Sequence, residues 1–309
     1  MINISIHYGL NLRQSQLEFI DVKLDDDNEL FIDPRLIENS TNPVMAPMKA
    51  SLATYFGHLV HSIATSNIPR ARYLLSGIEE PRETRLGYGV DNPNGKSAGP
   101  KIKVELINAI LNTPVIQNRS INKVSNLRFF IPNLSSDRIS DITTKVLKDH
   151  LITFTQAQCR KLGIPMQQVH QRDILNPTTL LWEHRDVELP VYFDGTADKP
   201  IIFVPKDIVL RQGDGCSDMG YFFRFARNYV MDKDNTLFQQ VPRTGKNGAL
   251  LVKDVNASIV NMKEELSKWI VAHPGIIKEY WEASLDRVVP LSDEEIEQVV
   301  YTDRSRRAA

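Results

Sequence analysis

Residues 129–163 read FFIPNLSSDRISDITTKVLKDHLITFTQAQCRKLG and hold the longest helical pattern in the chain. Ser135 and Ser136 are good N-caps, and Asp137 and Asp141 fall in the first turns, where the helix dipole favours negative charge. Gly163 closes the pattern. Between these ends Ile139, Ile142, Val146, Leu147, Leu151 and Phe154 recur at three- and four-residue steps, which gathers them on one face that must be buried. Asp137 and Asp141 are four residues apart, so they are neighbours on the helix surface and repel. Arg138, Lys145, the helix N-terminus or a divalent cation could offset them.

Working outward, the first forty residues alternate as strands do, around Ile2, Ile4 and Ile6, then 19–24, an acidic turn at 25–28, and Leu30-Phe31-Ile32. Asp33-Pro34 ends that hairpin or meander. Helices are expected from Pro47 to Thr65, over Arg70 to Ser76, and from Pro100. Beyond Gly163, helix and loop are equally plausible for 174–182, while 189–193 and 200–205 flank the turn 194–198 as two paired strands. The end of the chain reads as helices at 256–272 and 274–284 and one capped by Ser292 with Glu295 three residues on. The expectation is therefore a mixed α/β (α+β) protein, with a central mixed sheet, a long amphipathic helix, a core over 1–255 and a helical C-terminal portion over 256–309.

With a formal net charge of −1, the chain lacks the global basic field that gives sequence-independent nucleic-acid binding, so any such surface must be local. Two cysteines, Cys159 and Cys216, without metal or redox spacing, point to a reduced cytoplasmic setting. No basic region with a following apolar run opens the sequence, and no run of about 18 apolar residues occurs, so no secretion signal or membrane span is expected.

Gly95-Lys96-Ser97 looks like the end of a P-loop, but Val90 stands where that loop needs glycine and no strand precedes it. What remains is a glycine-rich loop feeding a helix at Pro100, where Lys96 and Lys101 are candidate phosphate contacts. His58 and His61 share a helix face without a third metal ligand in supporting register. No nucleophile elbow and no dinucleotide fingerprint is present. Carboxylates with a lysine remain: Glu79, Glu80 and Glu83, then Asp137 and Asp141, then Lys206 after an apolar run. Phosphodiester hydrolysis by magnesium or manganese needs such a set, carboxylates for the ion and a cation for charge on the phosphate.

In this order of groups the chain resembles the restriction-endonuclease-like nucleases, whose motif runs from a helical Glu to an Asp and then to Asp/Glu-x-Lys on a strand. Val204 stands where that last motif has an acid, so the resemblance carries over only Glu83, Asp141 and Lys206. The segments 137–165 and 201–206 also look like uncharacterised bacterial proteins of mobile elements and phage defence. The resemblance implies a Mg- or Mn-dependent nuclease or nucleic-acid-directed effector, with Glu83 and Asp141 on the metal and Lys206 as the electrostatic group; the close spacing of the acid pair adds Asp137 as a candidate metal ligand. Arg119, Lys123 and Arg128, and later Arg224 and Arg227 among Tyr221, Phe222, Phe223, Phe225 and Tyr229, are the candidate nucleic-acid contacts. The competing expectation is a non-catalytic sensor, adaptor or inhibitor subunit that joins a partner protein or a second copy through its helices.

Overall fold

The computed structural model describes residues 2–26, 28–87, 100–132, 134–211, 218–284 and 288–302, without the side chains of 100–103 and 218. Helices α1 (Ile4–His7), α2 (Pro34–Glu38), α3 (Ala46–Ala64), α4 (Ile68–Ser76), α5 (Pro100–Leu111) and α6 (Pro114–Gln117) lead to α7 (Ser136–Leu162). After it come α8 (Asp218–Lys233), α9 (Val252–Ser258), α10 (Met262–Ala272), α11 (Gly275–Glu282) and α12 (Asp293–Val300). The strands are β1 (Leu30–Ile32), β2 (Gln167–Leu175), β3 (Trp182–Leu189), β4 (Val191–Phe193), β5 (Asp198–Pro200) and β6 (Val209–Arg211).

Helix α7 forms as its caps dictate. The Ser135 side chain accepts from the Arg138 backbone N–H, and Gly163 takes the left-handed conformation, φ 70°, that ends the helix. Its apolar positions from Ile139 to Leu151 are buried together with Thr143, Thr144 and Thr155, which satisfy their hydroxyls by donating to the carbonyls of Ile139, Ser140 and Leu151, each at 2.7 Å. Around α7 pack α3, β1 and the β2–β3 ribbon. The ribbon is pinned on α4 by Trp182, whose ring covers Gly77 so closely that a Cβ there would stand 2.2 Å from it, and whose Nε1 donates to the Tyr73 carbonyl at 3.0 Å.

The expected central mixed sheet is corrected. Among the described residues the strands make three separate antiparallel pairs, β1 with β6, β2 with β3 and β4 with β5. The first forty residues do not form a hairpin: Ile4–His7 is helical, and β1 takes its partner from 209–211 instead. Alternation alone does not choose a strand's partner, and here long-range packing did. Asp33-Pro34 ends β1 and caps α2, its carboxylate accepting from the Arg35 N–H. The helical C-terminal portion begins at Asp218, earlier than residue 256, and packs into the same apolar cluster that starts at Ile4 and reaches Val300. Phe222 stacks on Phe129 at 4.1 Å, and the Trp281 Nε1 donates to Asn126 Oδ1 at 2.8 Å. No described helix is long and apolar enough to cross a membrane.

Candidate functional site

The N-terminal half of α7 carries Asp137, Asp141, Lys145 and Lys148 along one side, at steps of four, four and three residues. Its start is fixed against β1, whose Ile32 N–H donates to Ser140 Oγ at 2.9 Å. The segment 79–87 lies over this side. Three long-range bonds hold it there: Ile202 N–H to the Glu83 carbonyl at 2.8 Å, Asn28 Nδ2 to the Arg85 carbonyl at 2.8 Å, and Gly87 N–H to the Asn28 carbonyl at 2.8 Å. Gly87 has φ +90°, a conformation that favours glycine, and a Cβ there would stand 3.0 Å from Asp137 Oδ1.

Two kinds of charge chemistry meet on this face. Lys148, buried, donates to Glu83 Oε1 at 2.7 Å and to the Arg172 carbonyl at 3.0 Å. Burial pushes the Glu83 carboxyl up, but the charge and hydrogen bond of Lys148 outweigh it and leave the group below the usual carboxylate value. The carbonyl of Arg172 reaches Lys148 from an irregularity in the ribbon, where the register shifts between Gln171 and Ile174 and Asp173 adopts φ +52°. Asp173 N–H donates there to His184 Nδ1 at 3.2 Å.

Asp137 and Asp141 are different. Both are partly exposed, and among the described residues neither carboxylate accepts a hydrogen bond or forms an ion pair. Burial raises Asp137, and the charge of Glu80 adds to it. Burial, the charge of Asp137 and that of Glu80 push Asp141 up to about 8, more than Lys145 and Arg138 offset. Lys145 is only 4% exposed, and among the described residues no hydrogen bond or ion pair reaches its ammonium. Burial lowers it, with the neighbouring charge of Lys148, against the attraction of Glu83, Asp173 and Glu79.

Of the residues expected from sequence, Glu83, Asp137 and Asp141 are thus gathered beside one half of α7. Lys206 is not with them. It opens the turn Lys206–Ile208, donates to Asp293 Oδ1 at 2.7 Å, and its backbone N–H donates to the Glu18 carbonyl at 3.2 Å. Glu18 is held by Gln158 and Lys161, both at 2.6 Å, near the other end of α7. At about 1.5 Å rise per residue, Asp141 and Gln158 stand about 25 Å apart. The lysines beside the acids come from α7 itself. Lys145 was legible as an offsetting charge, but Lys148 was missed; its signal was a lysine at the spacing of the apolar stripe.

Among the described residues no three His, Cys, Asp or Glu side chains are grouped so as to hold a metal ion. His58 and His61 are exposed, and His61 Nδ1 faces Arg119 Nη2 at 3.4 Å. Lys96 and the side chain of Lys101 lie outside the described residues. The expected nucleic-acid contacts are divided. Arg128 reaches Asp33 at 3.3 Å, Lys123 donates to Asn39 Oδ1 at 2.9 Å, and Arg227 is buried against Asn228 and Asn256. Arg119 and Arg224 are exposed, Arg224 over the Tyr221 ring at 4.6 Å, while Phe222 and Phe223 are core.

Fold and site together define a helix-rich α+β protein built around one long helix with an acid–lysine face. Residues 9–214, more than half of the chain, match a family described as Domain of unknown function (DUF8370), and the chain belongs to that family. The matched stretch contains all of the acid–lysine face and ends before α8. No curated protein and no solved structure matches the chain.

Proposed function

We propose that this chain is a magnesium- or manganese-dependent phosphodiesterase acting on nucleic acid, with its site on the N-terminal half of α7. The observation that carries the reading is the Asp137–Asp141 pair, left without a donor among the described residues and with Asp141 pushed up to about 8. Such a pair is stabilised by a hard cation. Magnesium is commonly held by one or two carboxylates, its other positions filled by water and substrate phosphate, so a preformed cage of three protein ligands is not required. The bound ion would acidify a water and neutralise charge on the phosphate. Glu80 reinforces the negative field, Glu83 fixes Lys148, and Arg119 and Arg224 are the exposed cations left to meet a polynucleotide backbone.

The test is cleavage of plasmid, single-stranded DNA and RNA with magnesium or manganese, beside an EDTA control and the Asp141→Asn protein. Cleavage lost in both controls is expected. Cleavage that survives either one overturns the assignment, and so does a wild-type protein that fails to bind manganese.

A second reading, a binding subunit, is favoured by the C-terminal helices, where Val260 is fully exposed beside Met262, with Leu251 and Val252 also exposed. Light scattering of the wild type and of Val260→Asp checks it, since an interface there requires an oligomer that the charge dissolves.

A further inference from the structure

Lys145 and Lys148 sit one turn apart on the same buried side of α7. Lys148 is tied at both of its contacts, to the Glu83 carboxylate and the Arg172 carbonyl, and the second contact is delivered by the left-handed backbone at Asp173. A non-glycine residue at positive φ is uncommon, and such strain persists where the surroundings over-determine it. Lys145 has no such ties. Asp141 precedes it by four residues, the spacing at which an acid and a lysine ordinarily pair on a helix, yet no bond joins them. A buried ammonium with no hydrogen bond or ion pair among the described residues is attracted by the charges of Glu83, Asp173 and Glu79, and its own charge acts on Asp141.

We propose that Lys145 is the binding contact for a phosphate oxygen of the substrate, and that Lys148, held by Glu83 and the β2 irregularity, is the structural cation that leaves Lys145 unspent. The second contact of the same phosphate, the ion at Asp137 and Asp141, rests on the function proposed above. The spacing suits this division. Residues four apart on a helix have Cβ atoms about 5–6 Å apart, so a group held at Asp141 and one held at Lys145 fall on the same side of α7. This is a different lysine, on a different element, from the one that the order of sequence motifs pointed to.

The experiment is calorimetric titration with inorganic phosphate in the presence of manganese, on the wild type, Lys145→Met, Lys145→Arg and Lys148→Met, with manganese binding followed separately by electron paramagnetic resonance and folding by thermal melting. The expected result is phosphate binding to the wild type, weakened at least about tenfold in Lys145→Met, as for loss of a charge-assisted hydrogen bond, and retained in Lys145→Arg. Manganese affinity stays within about threefold in Lys145→Met, since the carboxylates are intact. Melting separates binding from structure: Lys148→Met melts lower than the wild type, whereas Lys145→Met melts at the same temperature or higher. Phosphate binding unchanged in Lys145→Met, no phosphate binding by the wild type, or a melting loss in Lys145→Met equal to that of Lys148→Met overturns the proposal. If the wild type fails to bind manganese, the function above falls, and phosphate titration without metal decides on Lys145 by the same comparison of wild type and Lys145→Met.

Discussion

Asp33 is enclosed by Arg35 at 2.7 Å and Arg128 at 3.3 Å, whereas Asp141, more exposed than Asp33, stands beside Asp137 with no donor among the described residues. Burial pushes both carboxyls up. At Asp33 the hydrogen bond from Arg35 and the charges of Arg128 and Arg35 reverse that push and hold the group below the usual value; at Asp141 the negative charges of Asp137 and Glu80 add to it. The difference teaches that degree of burial does not decide the state of these acids. Their partners do. One cluster is complete as folded, and the other becomes complete only when positive charge is added.

The comparison can be broken in several places. The largest effect is expected for Asp33→Ala, which removes the buried carboxylate that both Arg35 and Arg128 reach and the α2 cap; a loss of about 3–5 kcal/mol in urea unfolding is expected. Next is Glu83→Gln, which weakens the hold on buried Lys148 and should cost about 1–3 kcal/mol in the same measurement.

The Asp141→Asn change should act with the opposite sign. The folded protein holds the Asp141 proton up to about 8 while the unfolded chain releases it near the ordinary value of 3.8, so wild-type stability falls as pH rises between those values. Discounted for its exposure to water, the variant is expected to be about 1–2 kcal/mol more stable than wild type at pH 8 and equal to it below pH 4. Melting curves across that range check it, and magnesium should narrow the gap by stabilising the wild type alone. For Asp33 the folded value is depressed, so its contribution is present above the unfolded value and lost as pH falls, the reverse of Asp141.

The smallest effect sharpens the contrast. Burial pushes Glu38 up to about 7, against a hydrogen bond from Ser125 and the charge of Lys123. Its stability contribution falls as pH rises from the ordinary 4.5 towards 7, so Glu38→Gln should gain at most about 1 kcal/mol above pH 7 and little at pH 5. A larger gain than that of Asp141→Asn would reverse the ranking of the two regions.

Much of this was legible in the linear chain. Ser135, the apolar steps from Ile139 to Leu151, and Gly163 announce α7, and its caps and stripe depend on residues within a few positions of one another. Ser292 and Glu295 announce α12 in the same way. Glu83, Asp137 and Asp141 were recognisable as an acid set, but what compensates each of them was not. Lys148 reaches Glu83 across 65 residues, Arg128 reaches Asp33 across 95, and Lys206 is taken by Asp293 across 87. The ribbon of β2 and β3 was missed because its strands carry mostly polar, exposed residues, which leave weak alternation to read.

The sequence by itself determined the long helix, its caps, the acid pair on its first turns and the absence of the best-marked enzyme motifs, because each is set by neighbours along the chain. Only the tertiary structure decided which strands pair, that Lys206 is spent on α12, and that Lys148 is tied while Lys145 and the Asp137–Asp141 pair are not. Those are outcomes of long-range packing, and the charge state of a buried group depends on which distant partner the fold brings to it.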